Sequence, residues 1–288
     1  MQKILAFITV FAVWSTTPLV IKLSSMGSSA FFAASSRMSI AVIVCFLILA
    51  IKNTRLECAK FWQTYLIAGS GIYLTLGLVY ISAIHINSGM IAIIFAVTPL
   101  ITGIFANFIL KNNEFDLHKL IATIVGIFGI VIIFLEYITL DLSIFYLSLL
   151  FLAMSFQAFI SVKLKQINSQ ASSIQTTTGG LLFSVPFFII SFLIFENKIP
   201  QIGIIDVFYI LYLAIFGSVF GFISYYYLIK NTSVITVGII PLITPVFALI
   251  LGFYFNDELI TNIQITGIMV IVLALIYYNY YERFTKLR

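Results

Sequence analysis

A few polar and aromatic side chains interrupt long apolar stretches of this sequence, and they are the candidates for chemistry. Arg37 lies about two turns into a stretch that begins at Ala30, while Trp14 and Gln157 lie mid-way through two others. A guanidinium can bind a carboxylate through two parallel hydrogen bonds, and a buried amide requires hydrogen-bonding partners. We predict one substrate-binding or gating site. Its members are Trp14, Arg37, Tyr80, Gln157, Tyr225, Tyr226 and Thr244.

The sequence leaves two interpretations of Arg37 open. A central arginine costs roughly 2.5–3.5 kcal/mol on membrane-insertion scales, so its charge needs a partner or a route to water. The side chain either extends to the outer head groups or to backbone carbonyls, or it anchors a substrate carboxylate or gate. Trp14 and Gln157 have a similar choice between a cavity role and contact between helices.

Prolines inside the apolar stretches mark candidate hinges or helix breaks, because each removes a backbone hydrogen bond. Small residues recur as well, and the segment Gly217–Gly221 is the clearest example. In a membrane such residues let helices approach closely, which is the role we expect for them. The candidate hinge or break positions are Pro18, Pro99, Pro241 and Pro245.

Ten long apolar runs must position these residues. A helix needs about 20 residues to cross the hydrocarbon core of a bilayer, and most of the runs reach that length. With 62% hydrophobic and only 9% charged residues, the composition is typical of an all-α integral membrane protein. The runs are Ile4–Ile21, Ala30–Ile51, Phe61–Ile84, Ser88–Leu110, Leu120–Leu135, Ile144–Val162, Ile174–Phe195, Val207–Ile229, Val234–Phe255 and Ile263–Tyr281.

The basic residues of the connections predict the orientation. With the N-terminus in the cytoplasm, twelve of the fourteen basic residues outside the runs fall on the inner side, as the positive-inside rule requires. We therefore predict a multi-pass protein of the cell (inner) membrane with both termini cytoplasmic. The first run carries Trp14 and Pro18 and lacks a small-residue cleavage site, so we expect a retained helix.

The chain also shows signs of an internal duplication. A Thr-Pro pair ends at Pro99 in the fourth run and another at Pro245 in the ninth, each 19 residues after a tyrosine. We predict two five-helix repeats, residues 1–138 and 139–288. Because five is odd, the second repeat is inverted, and inverted repeats are typical of secondary transporters. An inverted duplication could also be a structural relic in a channel or a lipid-handling enzyme, but the transporter is the favoured interpretation.

These features resemble the EamA-type branch of the drug/metabolite transporter superfamily. Its repeats contain an apolar run, a proline, a Gly-Glu-Arg-Leu-like segment and a glycine-rich helix. The second half follows this pattern through Pro245, Asn256–Ile260 and Gly267, and the first half through Pro99 and Gly126–Gly129. The resemblance covers essentially the whole chain and implies ten helices and transport of a small metabolite.

The resemblance is incomplete at Asn112 and Asn113, which replace the usual Gly-Glu pair, so no role is carried over to Glu114. We predict a secondary transporter of a small organic metabolite, an amino acid or a related compound, working by alternating access. We expect an exchanger or facilitator, because no Asp or Glu lies mid-run to carry a proton.

Two alternatives remain open. A channel-like facilitator would show rings of like charge, and an integral-membrane enzyme acting on lipid head groups would need a cluster of acids, histidines or lysines. The sequence has neither a metal-type Cys/His grouping nor a Ser/His/Asp constellation, so we expect no enzyme, metal or cofactor. The expected partners are a small-molecule substrate and the bilayer, without nucleic acid, and the oligomeric state stays open.

Overall fold

The computed structural model describes residues 2–110, 117–137, 141–196, 198–232, 240–258 and 261–285, and within these ranges no strand occurs. The α-helices are α1 Gln2–Ser28, α2 Ala30–Ile51, α3 Cys58–Ala83, α4 Ser88–Ala96, α5 Thr98–Leu110, α6 Leu117–Tyr137, α7 Asp141–Ile167, α8 Ser173–Phe195, α9 Ile204–Tyr212, α10 Gly221–Asn231, α11 Ile240–Asn256 and α12 Asn262–Thr285. A π-helical segment, Leu213–Phe220, joins α9 to α10.

The helices have the length and composition of membrane spans. Seven helical segments of the described chain are long and apolar enough to cross a bilayer. Counted as continuous segments, α4 runs into α5, and α9 runs through the π-helical segment into α10. The described parts of α6, α11 and α12 contribute shorter apolar helices, Leu120–Ile133, Phe247–Asn256 and Asn262–Tyr277. The prediction of an all-helical membrane protein is thus confirmed. The predicted number of ten membrane crossings is larger than the seven helical segments that reach spanning length in the described chain.

Buried hydroxyl groups inside the bundle find their hydrogen-bond acceptors in the backbone of their own helices. Ser28 and Thr178 are fully buried, and each hydroxyl donates to a carbonyl one turn earlier, Ser24 O at 2.7 Å and Ile174 O at 2.7 Å. A hydrocarbon surrounding offers no alternative partner, so these local bonds let hydroxyls occupy the interior without cost to the fold.

Three helix pairs bring together runs that stand five places apart in the sequence. α2 packs on α8, α4 packs on α11, and α6 packs on α12. In the last pair two glycines set the distance, because a Cβ added to Gly129 would lie 2.9 Å from the Gly267 carbonyl oxygen. A Cβ on Gly267 would lie 2.8 Å from the Gly129 carbonyl oxygen. The two backbones therefore touch directly.

The helix between Ser88 and Leu110 is interrupted next to a predicted break. α4 ends at Ala96 and α5 begins at Thr98. Pro99 has no N–H to donate to the carbonyl of Phe95, and the Thr98 hydroxyl donates to that carbonyl instead. The threonine thus satisfies the acceptor that the proline leaves free.

The other prolines do not interrupt their helices. α1 continues through Pro18 and α11 continues through Pro245. Pro241 is the second residue of α11, where a missing N–H costs no helical hydrogen bond, and its side chain lies outside the described residues. A hinge role for these three positions stays a prediction.

Candidate substrate-binding site

A cavity of about 120 Å³ lies at the centre of the bundle, bounded by α1, α2, α3, α4, α7, α10, α11 and the π-helical segment. One buried water needs roughly 10–15 Å³ of such space, so this cavity can hold several waters or a small ligand. Tyr80, predicted with the site, is not part of this lining but accepts a hydrogen bond from Arg37. The other six predicted residues line the cavity: Trp14, Arg37, Gln157, Tyr225, Tyr226 and Thr244.

Arg37 is held by two hydroxyl groups. Its Nε donates to Ser218 Oγ at 2.8 Å and its Nη1 donates to Tyr80 Oη at 3.4 Å, with the side chain only 1% exposed. Neither the head-group nor the backbone-carbonyl interpretation describes this geometry. Among the described residues the guanidinium forms no ion pair. A buried charge without a counter-charge is costly, so an anionic ligand in the cavity would be strongly favoured.

The π-helical segment supplies the surface on which Arg37 rests. A Cβ added to Gly217 would lie 2.8 Å from Arg37 Nη2, so the guanidinium occupies the space that any other residue would fill. The next residue, Ser218, accepts the hydrogen bond from Nε. The Gly217–Gly221 face, predicted to let helices approach closely, packs against α2 and α1. At Gly217 the approaching group is the Arg37 guanidinium of α2, while a Cβ at Gly221 would lie 3.3 Å from Val13 of α1.

Aromatic rings form another part of the cavity wall. The Trp14 and Tyr225 ring centroids lie 5.1 Å apart, and those of Tyr225 and Tyr226 lie 5.5 Å apart. The Tyr225 hydroxyl interacts with Gln157 and Ser161. This wall offers flat apolar surface with a few hydrogen-bonding groups at its edge, as small-molecule sites commonly do.

Sequence reasoning missed two further polar groups of the lining, Thr17 and Thr75. Thr17 Oγ1 donates to Val13 O at 2.7 Å, and Thr75 Oγ1 donates to Ala153 O at 3.4 Å. Pro18, also in the lining, cannot donate to the carbonyl of Trp14, so that carbonyl lacks its usual helical partner. Threonine is common in membrane helices, and its type alone gave no signal.

A buried ion pair closes one end of the bundle beyond the cavity. Lys22 Nζ lies 3.2 Å from Glu258 Oε1, and the two residues are 8% and 7% exposed. Glu258 also accepts from the backbone N–H and hydroxyl of Ser88, both at 2.9 Å, and from Asn256 at 2.9 Å. These bonds tie α1, α4 and the connection after α11. The sequence placed Glu258 in the family-like segment Asn256–Ile260 but gave no sign of this ion pair.

The surroundings of Glu258 keep its carboxyl group ionised. Burial by itself raises its pKa, but the N–H of Ser88, the amide of Asn256 and the charge of Lys22 together hold the pKa below its ordinary value. His85 is exposed, and its ring stacks on that of Tyr146 with 3.9 Å between the ring centroids. Over the described ranges, no three His, Cys, Asp or Glu side chains converge as metal ligands would.

Comparison with known families identifies the kind of protein that carries this cavity. The chain matches the EamA-like transporter family over residues 1–135 and 144–280. It belongs to that family. Membership of this EamA-like protein supports the class of membrane transporters of small molecules, as the sequence predicted, and points to a transporter and not to an enzyme.

Relatives of this EamA-like protein are distant. Protein PecM of Dickeya dadantii is 24% identical over 217 residues, 75% of this chain and 72% of its own. An uncharacterized transporter in the trpA 3′ region of Buchnera aphidicola is 29% identical over 58% of this chain, and a WAT1-related chloroplastic protein of Arabidopsis thaliana is 23% identical over 68%. The matches span 56% and 49% of these two proteins' own lengths.

The fold is shared with a solved structure. A crystal structure at 13% identity superposes with a TM-score of 0.75 and covers 98% of both chains. At this identity the likeness extends to the fold alone.

Proposed function

We propose that the protein is a secondary transporter that binds a small organic metabolite, an amino acid or a related compound, in the central cavity and moves it by alternating access. The observation that carries this proposal is Arg37. It is a buried cation in the cavity lining, and no acidic partner appears among the described residues. A substrate carboxylate would neutralise it, while the rings of Trp14 and Tyr225 would pack against the substrate's body.

We further propose ten crossings arranged as two inverted repeats, residues 1–138 and 139–288. A two-fold axis between such repeats would pair equivalent helices, and the pairs α2 with α8, α4 with α11 and α6 with α12 fit this arrangement. The two separate stretches that match the family support the same division.

The proposed orientation places both termini in the cytoplasm of a cell with the protein in its inner membrane. The support is the basic bias of the connections, twelve residues against two. A reporter fused after Arg288 should be active only in the cytoplasm, and one fused after Lys198 only outside. The opposite result at either position would refute the ten-crossing arrangement.

Purified protein in liposomes tests the transport proposal. A panel of labelled amino acids, nucleotides and methyl donors should contain a compound that crosses the membrane chemically unchanged. Trp14→Ala and Gln157→Ala should then lower its initial rate by about tenfold, because each removes a contact of about 1.4 kcal/mol. Trp62→Ala is the matched control, since Trp62 lies on α3 with 56% of its surface exposed. Chemical conversion of the compound would favour an enzyme instead, and loss of folded protein would assign the two residues to packing.

Arg37 tests the chemistry of recognition. Arg37→Ala should abolish most transport of a carboxylate substrate, and Arg37→Lys should retain a fraction, because an ammonium keeps the charge but loses the planar two-bond geometry. Equal transport by wild type and both variants would remove the anchor role.

A further inference from the structure

Three cavities follow one another from the centre of the bundle to the end that holds the N-terminus. The central cavity and a smaller one of about 40 Å³ share Tyr226 in their linings. The smaller cavity in turn shares Lys165 and Lys230 with a wide depression of about 610 Å³, which Lys3 also lines. Tyr226 therefore stands between the arginine cavity and a lysine-lined approach.

The two shared lysines are fixed by backbone carbonyls. Lys165 Nζ donates to Ile229 O at 2.9 Å and to Thr232 O at 3.0 Å, and Lys230 Nζ donates to Ala171 O at 3.0 Å. An ammonium group has three donors, so Lys165 keeps one donor for a ligand and Lys230 keeps two. The two ammonium groups therefore have fixed positions at the entrance of the pathway.

Negative charge is missing along this approach. No Asp or Glu belongs to the described lining of the two outer cavities. Residues 233–239, which follow Thr232 outside the described ranges, include no acidic residue in the sequence. A cleft lined by one sign of charge concentrates ions of the opposite sign, because low-dielectric walls focus the field.

We propose that Lys165 and Lys230 form an anion-binding vestibule, through which an organic anion passes Tyr226 to reach Arg37. The inference rests on the proposed function, since it takes the central cavity as the transport site. It narrows the substrate class to small organic anions and disfavours organic cations. It also makes Tyr226 the gate on this side, opposite the Lys22–Glu258 pair.

Thiol labelling measures the field of the vestibule without requiring transport. In a Cys45→Ala, Cys58→Ser background, Ser173→Cys places a thiol in the lining of the smaller cavity. The probes are an anionic (sulfonatoethyl) and a cationic (trimethylammonioethyl) methanethiosulfonate, applied to protein in nanodiscs of zwitterionic lipid. Relative to free cysteine, we expect the anionic reagent to be favoured about fivefold at low salt. The preference should disappear near 1 M salt, where the Debye length is about 3 Å.

Lysine variants show whether the preference for the anionic reagent comes from Lys165 and Lys230. Lys165→Gln and Lys230→Gln should each reduce the preference, and the double variant should remove it. Lys163→Gln is the matched control, because Lys163 lies on the same helix, bonds to Gln166 at 3.1 Å and lines neither cavity. A ratio of one in the lysine-intact protein, or a salt-independent ratio, would overturn the vestibule and leave the lysines as helix caps. The salt series needs no lysine variant, so it decides the matter even if those variants fail to fold.

The same labelling reagents test whether Tyr226 controls access from the vestibule to the central cavity. With the thiol moved to the central cavity by Thr75→Cys, Tyr226→Ala should speed its reaction with the anionic reagent about tenfold, while Tyr227→Ala should not. Tyr227 is the neighbouring ring and bonds to Gln2, at 3.4 Å, outside the pathway. Equal acceleration by the two variants would refute a gate at Tyr226. Labelling and liposome transport are separate measurements. If the labelling shows no preference for the anionic reagent, the vestibule is refuted but the transport proposal is not. If no compound is transported, the labelling preference still measures the charge of the vestibule.

Discussion

The position of the Arg37 guanidinium depends on a residue without a side chain. Because a methyl group at position 217 would meet Nη2 at 2.8 Å, Gly217→Ala should push the guanidinium away from Ser218. A hydrogen bond from a charged group contributes about 1.5–3 kcal/mol, so the apparent affinity for substrate should fall at least about tenfold. The concentration dependence of uptake in liposomes measures this fall.

Gly77→Ala is the control for that change. It adds the same methyl group to a membrane helix, but a Cβ at Gly77 meets nothing within 4 Å. Its uptake should equal that of wild type. Similar affinity in Gly217→Ala and wild type would show that the guanidinium does not need its observed position.

Glu258 gives a pH prediction whose sign follows from its lowered pKa. A carboxyl group whose pKa is lower in the folded state stabilises the fold at pH values above its unfolded pKa. That stabilisation is lost as the pH falls through the folded pKa. The melting temperature of Glu258→Gln should therefore lie below that of wild type by a constant amount between pH 5 and 8. The difference should shrink only in stronger acid, below the ordinary value of 4.5.

Thermal unfolding of detergent-solubilised protein across that pH series gives the measurement. Asp206→Asn is a suitable control, because the Asp206 carboxylate also accepts from a backbone N–H, that of Gly203 at 2.9 Å, yet pairs with no lysine in the described chain. A difference for Glu258→Gln that changes between pH 6 and 8 would contradict a carboxylate held ionised in this range.

At the scale of helices, the interruption between α4 and α5 is a candidate hinge beside the cavity. Pro99→Ala restores an N–H that can compete with the Thr98 hydroxyl for the Phe95 carbonyl, and a continuous helix should result. Phe95 lines the cavity, so stiffening this point should slow the transport cycle several-fold while leaving membrane abundance unchanged. Pro186→Ala in α8 is the control, since Pro186 is exposed and lines none of the three cavities. Equal turnover in Pro99→Ala and wild type would exclude a hinge there.

The same elements show how far the sequence could predict the structure. Apolar runs longer than a bilayer crossing predicted the helices, and a proline beside a threonine predicted the break at Pro99. The π-helical segment has no comparable signature. Its role in the site depends on Arg37, which lies 181 residues from Ser218 in the sequence. Such a contact is a property of tertiary packing, and local pattern does not encode it.

The cavity was predictable to the extent that polar groups are costly in hydrocarbon. That rule selected Arg37, Gln157 and the ring residues, and the structure brings six of the seven together. It missed Thr17 and Thr75, because hydroxyls that bond to helix carbonyls carry little cost and occur throughout membrane helices. The function of the residues in this cavity stays a prediction.

At the scale of the whole molecule, the cationic groups lie one after another along the proposed pathway. They differ in the groups that balance their charge. Lys22 is paired with Glu258, and Lys165 and Lys230 are held by carbonyl oxygens at the opposite end. Arg37 lies between them and, among the described residues, is bonded to the hydroxyls of Ser218 and Tyr80. Closing both ends around a substrate-free cavity would enclose the Arg37 charge without a counter-ion. Closing them around a bound anion would enclose a neutral pair.

This difference predicts the mode of transport. Because the loaded protein can close at lower cost than the empty one, exchange of substrate for substrate should run at least about tenfold faster than net efflux into substrate-free medium. No Asp or Glu of the described helices lies in the cavity lining, so an imposed pH gradient should not drive accumulation. Liposomes loaded with labelled substrate, diluted into medium with or without unlabelled substrate, measure the ratio of exchange to efflux. Accumulation driven by the pH gradient alone and abolished by a protonophore would refute this prediction. In that event His85→Gln would show whether the exposed histidine on Tyr146 carries the proton.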